Sequence, residues 1–441
     1  MEFERIAGYH INKQNKKEEK VLKNKIFLPL DNAAKIYPAA MTKKWNAVFA
    51  ISVYLKEKAD KKIMKSAVED LYERFPSFYV CLKQGAFWDY FCKAKSSDIV
   101  SDSQDICRPI DVNDKKRPLF RINLNGCEIR CEFFHALTDG TGAMEFVKAL
   151  ILRYFQLCGC EIENAAAYGI KEYTESPEKI EYEDEFLKIY DGSTGAFRKG
   201  SGAYQLKLQK KTGRFYRDEV CISLSSLKEL TKKYDCTVTQ FIAAAYSMAL
   251  IDIYSKDCST SKKPLRLAIP VNLRKFWKSA TLRNFSSFIT ADITPNGKLD
   301  FETVLSSIKS EMNKKISKEQ LYGDVCRNVA DEKMLLSRIA PSFLKKPVMK
   351  AAFRLYGERK YTSTVTNLGN VKLPPEMADK IDLITVTLGE TYINPINCAV
   401  VSFADTLCAT LSFAGNGFEA VRYFMDFLSS KGLEVSTAHT I

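Results

Sequence analysis

Histidine is scarce in this chain. Only three occur among its 441 residues, at His10, His135 and His439. The first and the last lie near the chain ends, where ordered packing is least assured. An imidazole is the side chain whose unperturbed pKa, about 6.5, suits proton transfer near neutral pH. If imidazole chemistry takes place in this protein, the scarcity leaves His135 as the residue to carry it.

Long hydrophobic runs are also missing. No window approaches the roughly 20 apolar residues that a membrane-spanning helix needs, and the longest candidate, residues 241–251, is followed by Asp252. The first five residues, MEFER, include two acidic side chains, and no apolar core of a signal peptide follows them. We therefore expect no transmembrane segment, no secretory leader and a cytoplasmic location.

Clustered metal ligands are a third absence. The 13 cysteines are dispersed and odd in number, which argues against a disulfide framework. The closest pairs, Cys127 with Cys131 and Cys158 with Cys160, lack a second cysteine or histidine cluster at zinc-ligand spacing. We expect no metal site, and we interpret the cysteines as small buried hydrophobic residues.

What the chain does contain is an imidazole and a carboxylate four residues apart, in FFHALTDG at residues 133–140. The preceding residues predict two strands, 118–124 and 127–134. A two-residue turn at Asn125-Gly126 would join them, because asparagine and glycine tolerate positive φ. His135 is therefore predicted just past the end of a strand.

The residues after Asp139 predict a helix. Apolar side chains recur there at helical spacing and form one buried stripe: Ala143, Phe146, Val147, Leu150 and Tyr154. Asp139 falls at the entrance of this helix, where aspartate is a preferred N-cap residue. Two interpretations without catalysis therefore stay open: Asp139 caps the helix, and His135 is an ordinary histidine closing a strand.

The order of His135, Asp139 and Gly140 resembles the HxxxDG signature of a superfamily of CoA-dependent acyltransferases. Its members include chloramphenicol acetyltransferase, the plant BAHD enzymes, alcohol acetyltransferases and peptide-synthetase condensation domains. Many members have HHxxxDG, and this chain has Phe134 in the first position. The resemblance makes the second histidine catalytic, so the departure bears mainly on the kinship with condensation domains.

Further stretches resemble the bacterial alcohol acetyltransferase-like branch of that superfamily, in the expected order along the chain. They are LDNAAKIYP at 30–38, RFPSF at 74–78, FW at 87–88, PVNLR at 270–274, RNF at 283–285 and TNLG at 366–369. Together they extend over most of the chain. The resemblance implies two chloramphenicol-acetyltransferase-like domains, each a mixed β-sheet packed with helices, with a substrate tunnel between them and His135 at its middle.

Length and pattern also indicate two domains. The 441 residues exceed the ~250–300 at which a single core stops growing, and mixed strands and helices indicate an α+β fold. An acidic cluster at 178–185 and a glycine-rich run at 192–202 are typical of exposed linkers. We predict an N-terminal domain at 1–175, a linker or lid at 176–214 and a C-terminal domain at 215–441.

Other elements are predicted from periodicity and turn residues. Strands are expected at 47–55, 220–224, 265–271, 285–293 and 361–367, helices at 61–74, 225–234, 300–318 and 418–431, and a hairpin turn at Asp405-Thr406. Thr237 and Gln240 form a capping box that opens an apolar helix through Ala249.

The chemistry of the residue types suggests a mechanism. Neutral His135 takes the proton of an acceptor hydroxyl as the hydroxyl attacks a thioester, and then returns it to the departing thiolate, without a covalent enzyme intermediate. The resemblance implies that Asp139 is structural, turned away from the substrate and paired with Arg274; a surface position for Arg274 is the alternative. Gly140 either permits a tight turn beside the imidazole or simply enters the helix.

A tetrahedral intermediate needs donors for its oxyanion. The candidates are Asn367 and Thr366, for which turn formation is an equally good explanation. Acyl-CoA would be a co-substrate, and we predict no permanently bound cofactor; the residues that bind CoA are unknown.

The chain carries a net charge of +13. Its lysines are scattered, and the one dense run, residues 12–25, includes Glu18 and Glu19 and is typical of a solvated arm. Without a nucleic-acid-binding signature, we expect no nucleic acid partner. The excess of positive charge would suit binding of the phosphates of CoA or loose attraction to anionic lipid, but a generic solubilising surface explains it more simply.

Three functions fit these observations. The leading hypothesis is an acyl-CoA-dependent O-acyltransferase that moves an acetyl or longer acyl group to a small alcohol. The second is condensation or N-acylation of an amine fed by a carrier protein, against which Phe134 and the absence of an attached carrier region argue. The third is a non-catalytic protein of the same fold that binds an acyl ligand or CoA, which intact His135 and Asp139 disfavour. We expect a monomer.

Overall fold

The computed structural model describes residues 27–41, 47–96, 98–193, 202–207, 214–256, 263–294, 299–333, 340–353, 357–391 and 393–440. The predicted arm at 12–25 and most of the glycine-rich run at 192–202 lie outside these ranges. Within them the chain is mixed α+β, with helices packed on mixed sheets, as the sequence predicts.

The strands form three sheets. In chain order they are β1 (Phe27–Pro29), β2 (Val48–Leu55), β3 (Val80–Lys83), β4 (Tyr90–Lys93), β5 (Val100–Ser101), β6 (Phe120–Asn125), β7 (Glu128–Phe134), β8 (Phe215–Ser223), β9 (Leu265–Asn272), β10 (Ser286–Ile293), β11 (Ser363–Val371), β12 (Ile381–Leu388), β13 (Ile396–Phe403), β14 (Thr406–Ala414) and β15 (Val435–Thr440). The orders are β1-β4-β3, β12-β2-β7-β6-β5 and β10-β9-β11-β13-β14-β8-β15.

The helices lie between these strands along the chain. Their bounds are Ile36–Ala40, Lys61–Asp70, Gly140–Leu157, Glu185–Ile189, Leu224–Lys233, Val238–Lys256, Phe301–Lys315, Lys318–Lys333, Ser342–Ala352, Pro375–Ala378 and Phe418–Ser430. Two helices, Lys61–Asp70 and Gly140–Leu157, pack on each other beside the five-stranded sheet. A second hydrophobic core includes residues of β8, β9, β10 and β14. In it the helix Val238–Lys256 packs between Phe301–Lys315 and Phe418–Ser430.

The five-stranded sheet carries the HxxxDG stretch. Its strands β2 and β7 are buried along their whole length, so neither has a face in contact with solvent. In the helix Gly140–Leu157, 11 of the 18 residues are buried, which is more than the single stripe that the sequence predicts, and Phe146 contacts Phe78, Phe120 and Phe133. Apolar burial of this kind is the main stabilising contribution to the fold.

One strand crosses between the halves. β12 comes late in the chain yet pairs with β2 in the N-terminal sheet, antiparallel. Within the predicted linker, Glu181 and Glu185 are buried, and Glu181 binds the buried Arg74 through two hydrogen bonds. The domain boundaries stay a prediction, but a cut at residue 215 would separate β12 from its sheet.

Most predicted elements are present with small shifts at their ends. The turn between β6 and β7 lies at Gly126-Cys127, because Asn125 still pairs with Glu128, and Gly126 takes a φ of +62°. The later hairpin turn is shifted by one residue in the other direction, to Ala404-Asp405, since Phe403 pairs with Thr406. The capping box of Thr237 and Gln240 is confirmed by two reciprocal hydrogen bonds, of 2.9 and 3.2 Å.

The sequence predicts neither a membrane-spanning helix nor a metal site. Among the described residues, no single helix is long and apolar enough to cross a membrane. Leu224–Lys233 and Val238–Lys256 pass that test only as a pair, which is bent by 88°. No group of three or more metal-ligating side chains comes together in the described ranges. The expectation that the cysteines are buried is wrong for Cys127 and Cys158, which are exposed.

A buried ionic network lies where β8 faces β2 and β7. Arg217 is fully buried, and its guanidinium contacts Glu128 at 2.8 Å, Tyr54 at 2.9 Å and Ser52 at 3.2 Å. Burial opposes ionisation of Glu128, but Arg217 and Arg130 hold its pKa below the ordinary value. The network therefore consists of charges that compensate one another across the two sheets.

Removing one member of this network is predicted to destabilise the fold. Arg217→Met should lower the free energy of unfolding by about 3–5 kcal/mol, because Glu128 and Glu219 would lose a buried counter-charge. Lys61→Met, which breaks the exposed pair with Asp102, should cost less than about 1 kcal/mol. Urea unfolding measures both. Equal losses would show that the buried network contributes no more than a surface pair.

Candidate active site

His135 lies immediately after β7, at the point where the strand leaves the sheet. Its backbone N–H donates to Ala47 O over 2.8 Å, which continues the pairing of β7 with the segment before β2. The chain then turns, with Leu137 N donating to Phe134 O over 2.8 Å. The predicted position of His135, just past a strand end, is confirmed.

The imidazole is enclosed mainly by aromatic rings. Tyr37, on the helix Ile36–Ala40, stacks on it with centroids 4.7 Å apart, and Phe49 of β2 packs tilted at 5.0 Å. His135 Nδ1 lies 3.2 Å from Asn284 Oδ1. Burial lowers the pKa of His135 below 6.5, although nearby carboxylates of Asp139 and Asp31 act in the opposite direction. The imidazole is therefore neutral near pH 7.

The carboxylate of Asp139 is occupied on both oxygens. Oδ1 accepts from Gly142 N over 3.0 Å and so caps the helix Gly140–Leu157. Oδ2 accepts from Arg274 Nη1 and from Phe285 N, each over 2.8 Å. The helix cap that the sequence predicts and the ion pair with Arg274 that the resemblance implies are both present.

Arg274 is held as firmly as its partner. It lies in the 3₁₀ helix Leu273–Lys275 after β9, and its guanidinium also donates to Thr281 O over 3.0 Å and to Arg283 O over 2.6 Å. These acceptors lie in residues 273–285, the connection between β9 and β10. Arg274 is therefore not a surface residue, and it anchors that connection against the turn bearing His135.

Two more contacts join the same segments. Thr138 Oγ1 donates to Leu282 O over 2.6 Å, and Asn272 Nδ2 donates to Thr141 Oγ1 over 3.1 Å. The turn after β7 is thus bonded to the β9–β10 connection on both sides of Asp139.

Glycine is needed at this turn for space. Gly140 does not take a positive φ, so a tight turn is not its reason; a Cβ there would lie 2.6 Å from Leu368 Cδ2. A Cβ on Gly142 would lie 2.1 Å from Leu282 O, a backbone atom that cannot yield easily. Gly142, which the motif does not include, is the more constrained of the two.

Asn367 lies inside β11, which runs further than the sequence predicted. Its Oδ1 accepts from Gly369 N over 2.8 Å, and its Nδ2 donates to Thr239 Oγ1 over 3.0 Å. The strand is irregular here, and Gly369 takes a φ of +85°. Asn367 therefore stabilises a local turn, while Leu368 brings the TNLG stretch against Gly140.

Sequence reasoning assigned no role to three side chains that lie next to His135. They are Tyr37, Phe49 and Asn284. Tyr37 lies in the LDNAAKIYP stretch and Asn284 in the RNF stretch. Their place in these stretches was the signal from which a role at the site could have been inferred. Nothing local in the sequence indicates that these stretches meet at one imidazole.

No protein-family model and no curated protein sequence matches this chain. Solved structures match nearly all of it. The TRI3 trichothecene 15-O-acetyltransferase from Fusarium sporotrichioides is 12% identical with a TM-score of 0.57, covering 92% of this chain and 95% of that chain. TRI101 from F. graminearum, complexed with coenzyme A and deoxynivalenol, is 13% identical with a TM-score of 0.56, covering 92% and 97%.

A condensation domain has a similar structure. The starter condensation domain of rhizomide synthetase RzmA is 14% identical with a TM-score of 0.51, covering 92% of this chain and 96% of that domain. At such identities the likeness concerns the fold alone. The fold class implied by the resemblance to the acyltransferase and condensation-domain superfamily is thereby confirmed.

The Asp139–Arg274 pair is predicted to act as a unit. Asp139→Asn and Arg274→Ala should each destabilise the protein, and the double variant should lose less than the sum, with a coupling of about 0.5–3 kcal/mol. Urea unfolding of the four proteins measures this. As a control, Asp139→Asn combined with Lys61→Met should be additive. Additive losses in the Asp139–Arg274 cycle would show that the pair is not energetically coupled.

Gly142 is predicted to be the least replaceable glycine of the turn. Gly142→Ala should cost about 1–3 kcal/mol or more of unfolding free energy, because its methyl group meets backbone. Gly323→Ala provides the control: it lies in the helix Lys318–Lys333 with nothing within 4 Å of a new Cβ, and alanine should stabilise it by about 0.5–1 kcal/mol. Similar unfolding midpoints for both variants would contradict the prediction.

Proposed function

We propose that this protein is an acyl-CoA-dependent O-acyltransferase, which moves an acetyl or longer acyl group from CoA to an alcohol. The observation that carries the proposal is the position of His135. A neutral imidazole lies at the contact between the N-terminal sheet and the β9–β10 connection, while the adjacent Asp139 is fully occupied with structural donors. The imidazole is thus the group of the motif that remains for chemistry.

In the proposed reaction His135 is a general base. The acceptor hydroxyl attacks the thioester carbonyl carbon as the imidazole removes its proton, and a tetrahedral intermediate forms. The intermediate collapses by breaking its C–S bond, and the imidazolium returns the proton to the thiolate of CoA. Both substrates become products without an acyl-enzyme, so one titratable group is sufficient.

The structure supports separate roles for the other motif residues. Asp139 and Arg274 hold the turn that carries His135. The Asp139 carboxylate accepts from backbone N–H groups and from Arg274, and the Arg274 guanidinium donates to Asp139, to backbone carbonyls and to Asn272 Oδ1. Gly140 and Leu368 bring β11 close to the same turn. We propose positioning roles for Asp139, Gly140 and Arg274, and we retain Asn367 only as a weaker candidate near the oxyanion, because its amide already serves a turn.

The choice of donor rests on chemistry and on the similar structures. TRI101 was solved with coenzyme A and deoxynivalenol, which supports a free acyl-CoA as the donor. The likeness to a condensation domain supports the second candidate, in which a carrier protein presents the thioester. A tunnel between the halves remains a prediction of the resemblance. A monomeric state remains a prediction as well, based on two fused domains that could form a site between themselves.

His135→Ala is predicted to abolish most turnover. Release of free thiol from acetyl-CoA and longer acyl-CoAs, measured with a thiol reagent and a panel of alcohols and amines, should fall at least about a hundredfold. Affinity for CoA, measured by calorimetry, should stay unchanged because the imidazole is not expected to hold CoA.

His439→Ala is the matched control, since it removes a histidine from β15. This strand forms one edge of the seven-stranded sheet, and β10 forms the other. Alcohol-dependent release that persists in His135→Ala would contradict the proposed base. If no acyl-CoA is consumed with any acceptor, a carrier-bound thioester becomes the next donor to test. CoA binding without turnover of either donor would favour a binding protein.

A further inference from the structure

One helix in the second half of the chain has its polar and apolar sides reversed. In Ser342–Ala352 the exposed side chains through residue 351 are all apolar: Phe343, Leu344, Pro347, Val348 and Ala351. Phe343 is 70% exposed, Leu344 54% and Val348 69%. With 3.6 residues per turn, the five positions cover a continuous arc of about 140° on one side of the helix. A surface helix ordinarily buries such an arc.

Two lysines of this helix point inward instead. Lys345 is 8% exposed, and its ammonium lies 3.7 Å from the centroid of the Trp88 ring. Lys346 Nζ lies 3.0 Å from Asp89 Oδ2, and Asp89 is itself buried. Both partners lie in the segment just before β4. These contacts fix the rotation of the helix with its apolar side outward.

The loop before β4 enlarges this apolar surface. Ser342 N donates to Ala86 O over 2.8 Å, which attaches the start of the helix to the loop, and the next residue, Phe87, is 50% exposed. Eight large hydrophobic side chains are exposed in the described ranges, and half of them lie on this helix and loop. A cluster of this kind marks a binding surface, whereas single exposed apolar residues do not. The apolar patch consists of Phe87, Phe343, Leu344 and Val348.

The sequence around the apolar patch is strongly basic. Residues 333–357 contain six lysine and arginine residues and no aspartate or glutamate. Lys350 follows Phe343 by about two helical turns, so it lies at the edge of the apolar arc. Basic residues beside an apolar helix face are typical of helices that lie in the surface of an anionic membrane.

The composition of the apolar patch favours lipid over a protein partner. Protein interfaces are only about 56–58% apolar in area and carry about one hydrogen bond per 100–200 Å². In the described residues 342–351, no exposed side chain is a hydrogen-bond donor or acceptor. Acyl chains require no such bonds, and negatively charged lipid headgroups complement the surrounding lysines and arginines.

We propose that the apolar patch is a docking surface for an anionic lipid bilayer. The helix Ser342–Ala352 then lies in the plane of the headgroups. Phe343, Leu344 and Val348 insert among the acyl chains, and Lys350 contacts lipid phosphates. Burial of the apolar side chains supplies the affinity, and the basic residues supply the preference for negatively charged lipid.

The proposed docking surface lies close to the candidate active site in the fold. The helix Ser342–Ala352 packs on Ile36–Ala40, whose Tyr37 stacks on His135. Docking nevertheless uses none of the residues that we assign to the acyl transfer reaction. The proposal therefore stands or fails independently of the proposed function.

The test is cosedimentation of the full-length protein with vesicles of equal parts phosphatidylcholine and phosphatidylglycerol. The wild type should bind these vesicles, and it should bind phosphatidylcholine alone more weakly, because the basic residues then have no anionic partner. Phe343→Gln combined with Val348→Gln should lower the partition coefficient at least about tenfold, because two apolar side chains no longer leave water. Glutamine suits an exposed helix position, so the urea unfolding midpoint should stay that of the wild type.

Two variants elsewhere on the surface are matched controls. Phe288→Gln replaces a side chain that is 52% exposed on β10, and it should bind vesicles as the wild type does. Lys350→Glu should lower binding about fivefold or more. Lys314→Glu makes the same charge change at an exposed position of the helix Phe301–Lys315, and it should lower binding less because it lies outside the apolar patch.

Failure of the wild type to bind anionic vesicles would overturn the proposal, and so would equal losses in the patch and control variants. Equal binding to both vesicle compositions would refute the preference for anionic lipid. A dimer that forms without vesicle binding and is abolished by Phe343→Gln would assign the apolar patch to a second copy of the chain, which overturns lipid docking.

A second variant keeps the test decisive if the double glutamine variant does not fold. Phe343→Trp retains an apolar side chain and adds a fluorophore to the three tryptophans of the chain. Lipids brominated on their acyl chains should quench its fluorescence more than that of the wild type. Equal quenching of the two proteins would contradict insertion of this helix.

Discussion

The carboxylate of Asp139 is the interaction on which the candidate site depends. One oxygen caps the helix Gly140–Leu157, and the other receives Arg274 Nη1 and Phe285 N. The start of the helix and two donors from the β9–β10 connection therefore share one buried charge, and each donor removes part of the cost of burying it. Because the cap fixes where the helix begins and β7 fixes where the turn begins, the position of His135 follows from both.

The two halves are joined by more than this turn. β12 leaves its own half and completes the N-terminal sheet, and Arg217 of β8 reaches Glu128 on β7. A buried ion pair adds little stability over well-packed apolar groups, but breaking it is costly. The network thus penalises any arrangement in which β8 no longer faces β7, which keeps the β9–β10 connection within reach of His135.

Periodicity predicted β7 and the helix after it, because the pattern of apolar residues that marks each element lies within one short segment. It could not predict that β12 pairs with β2, because the two strands are distant in sequence. Glu128, Arg130 and Glu132 alternate as a solvent-facing side of a strand would, yet all are buried. Arg217 of β8 contacts Glu128, and residues 103–107 contact Arg130 and Glu132. Asn284 and Asp31 are separated by 253 residues, so their contact required the fold, although both stood in stretches resembling a family.

The choice of asparagine beside His135 has a chemical reason. A general base in acyl transfer must accept a proton and then release it to a thiolate, so an imidazolium that is too stable slows the second step. A carboxylate in direct contact would stabilise the imidazolium. The amide oxygen of Asn284 contacts Nδ1 without a charge, and the carboxylate of Asp31 lies one residue further away. Burial then outweighs the distant carboxylates, and the pKa of His135 stays low. The arrangement orients the ring as a triad carboxylate would, while leaving it a weaker base.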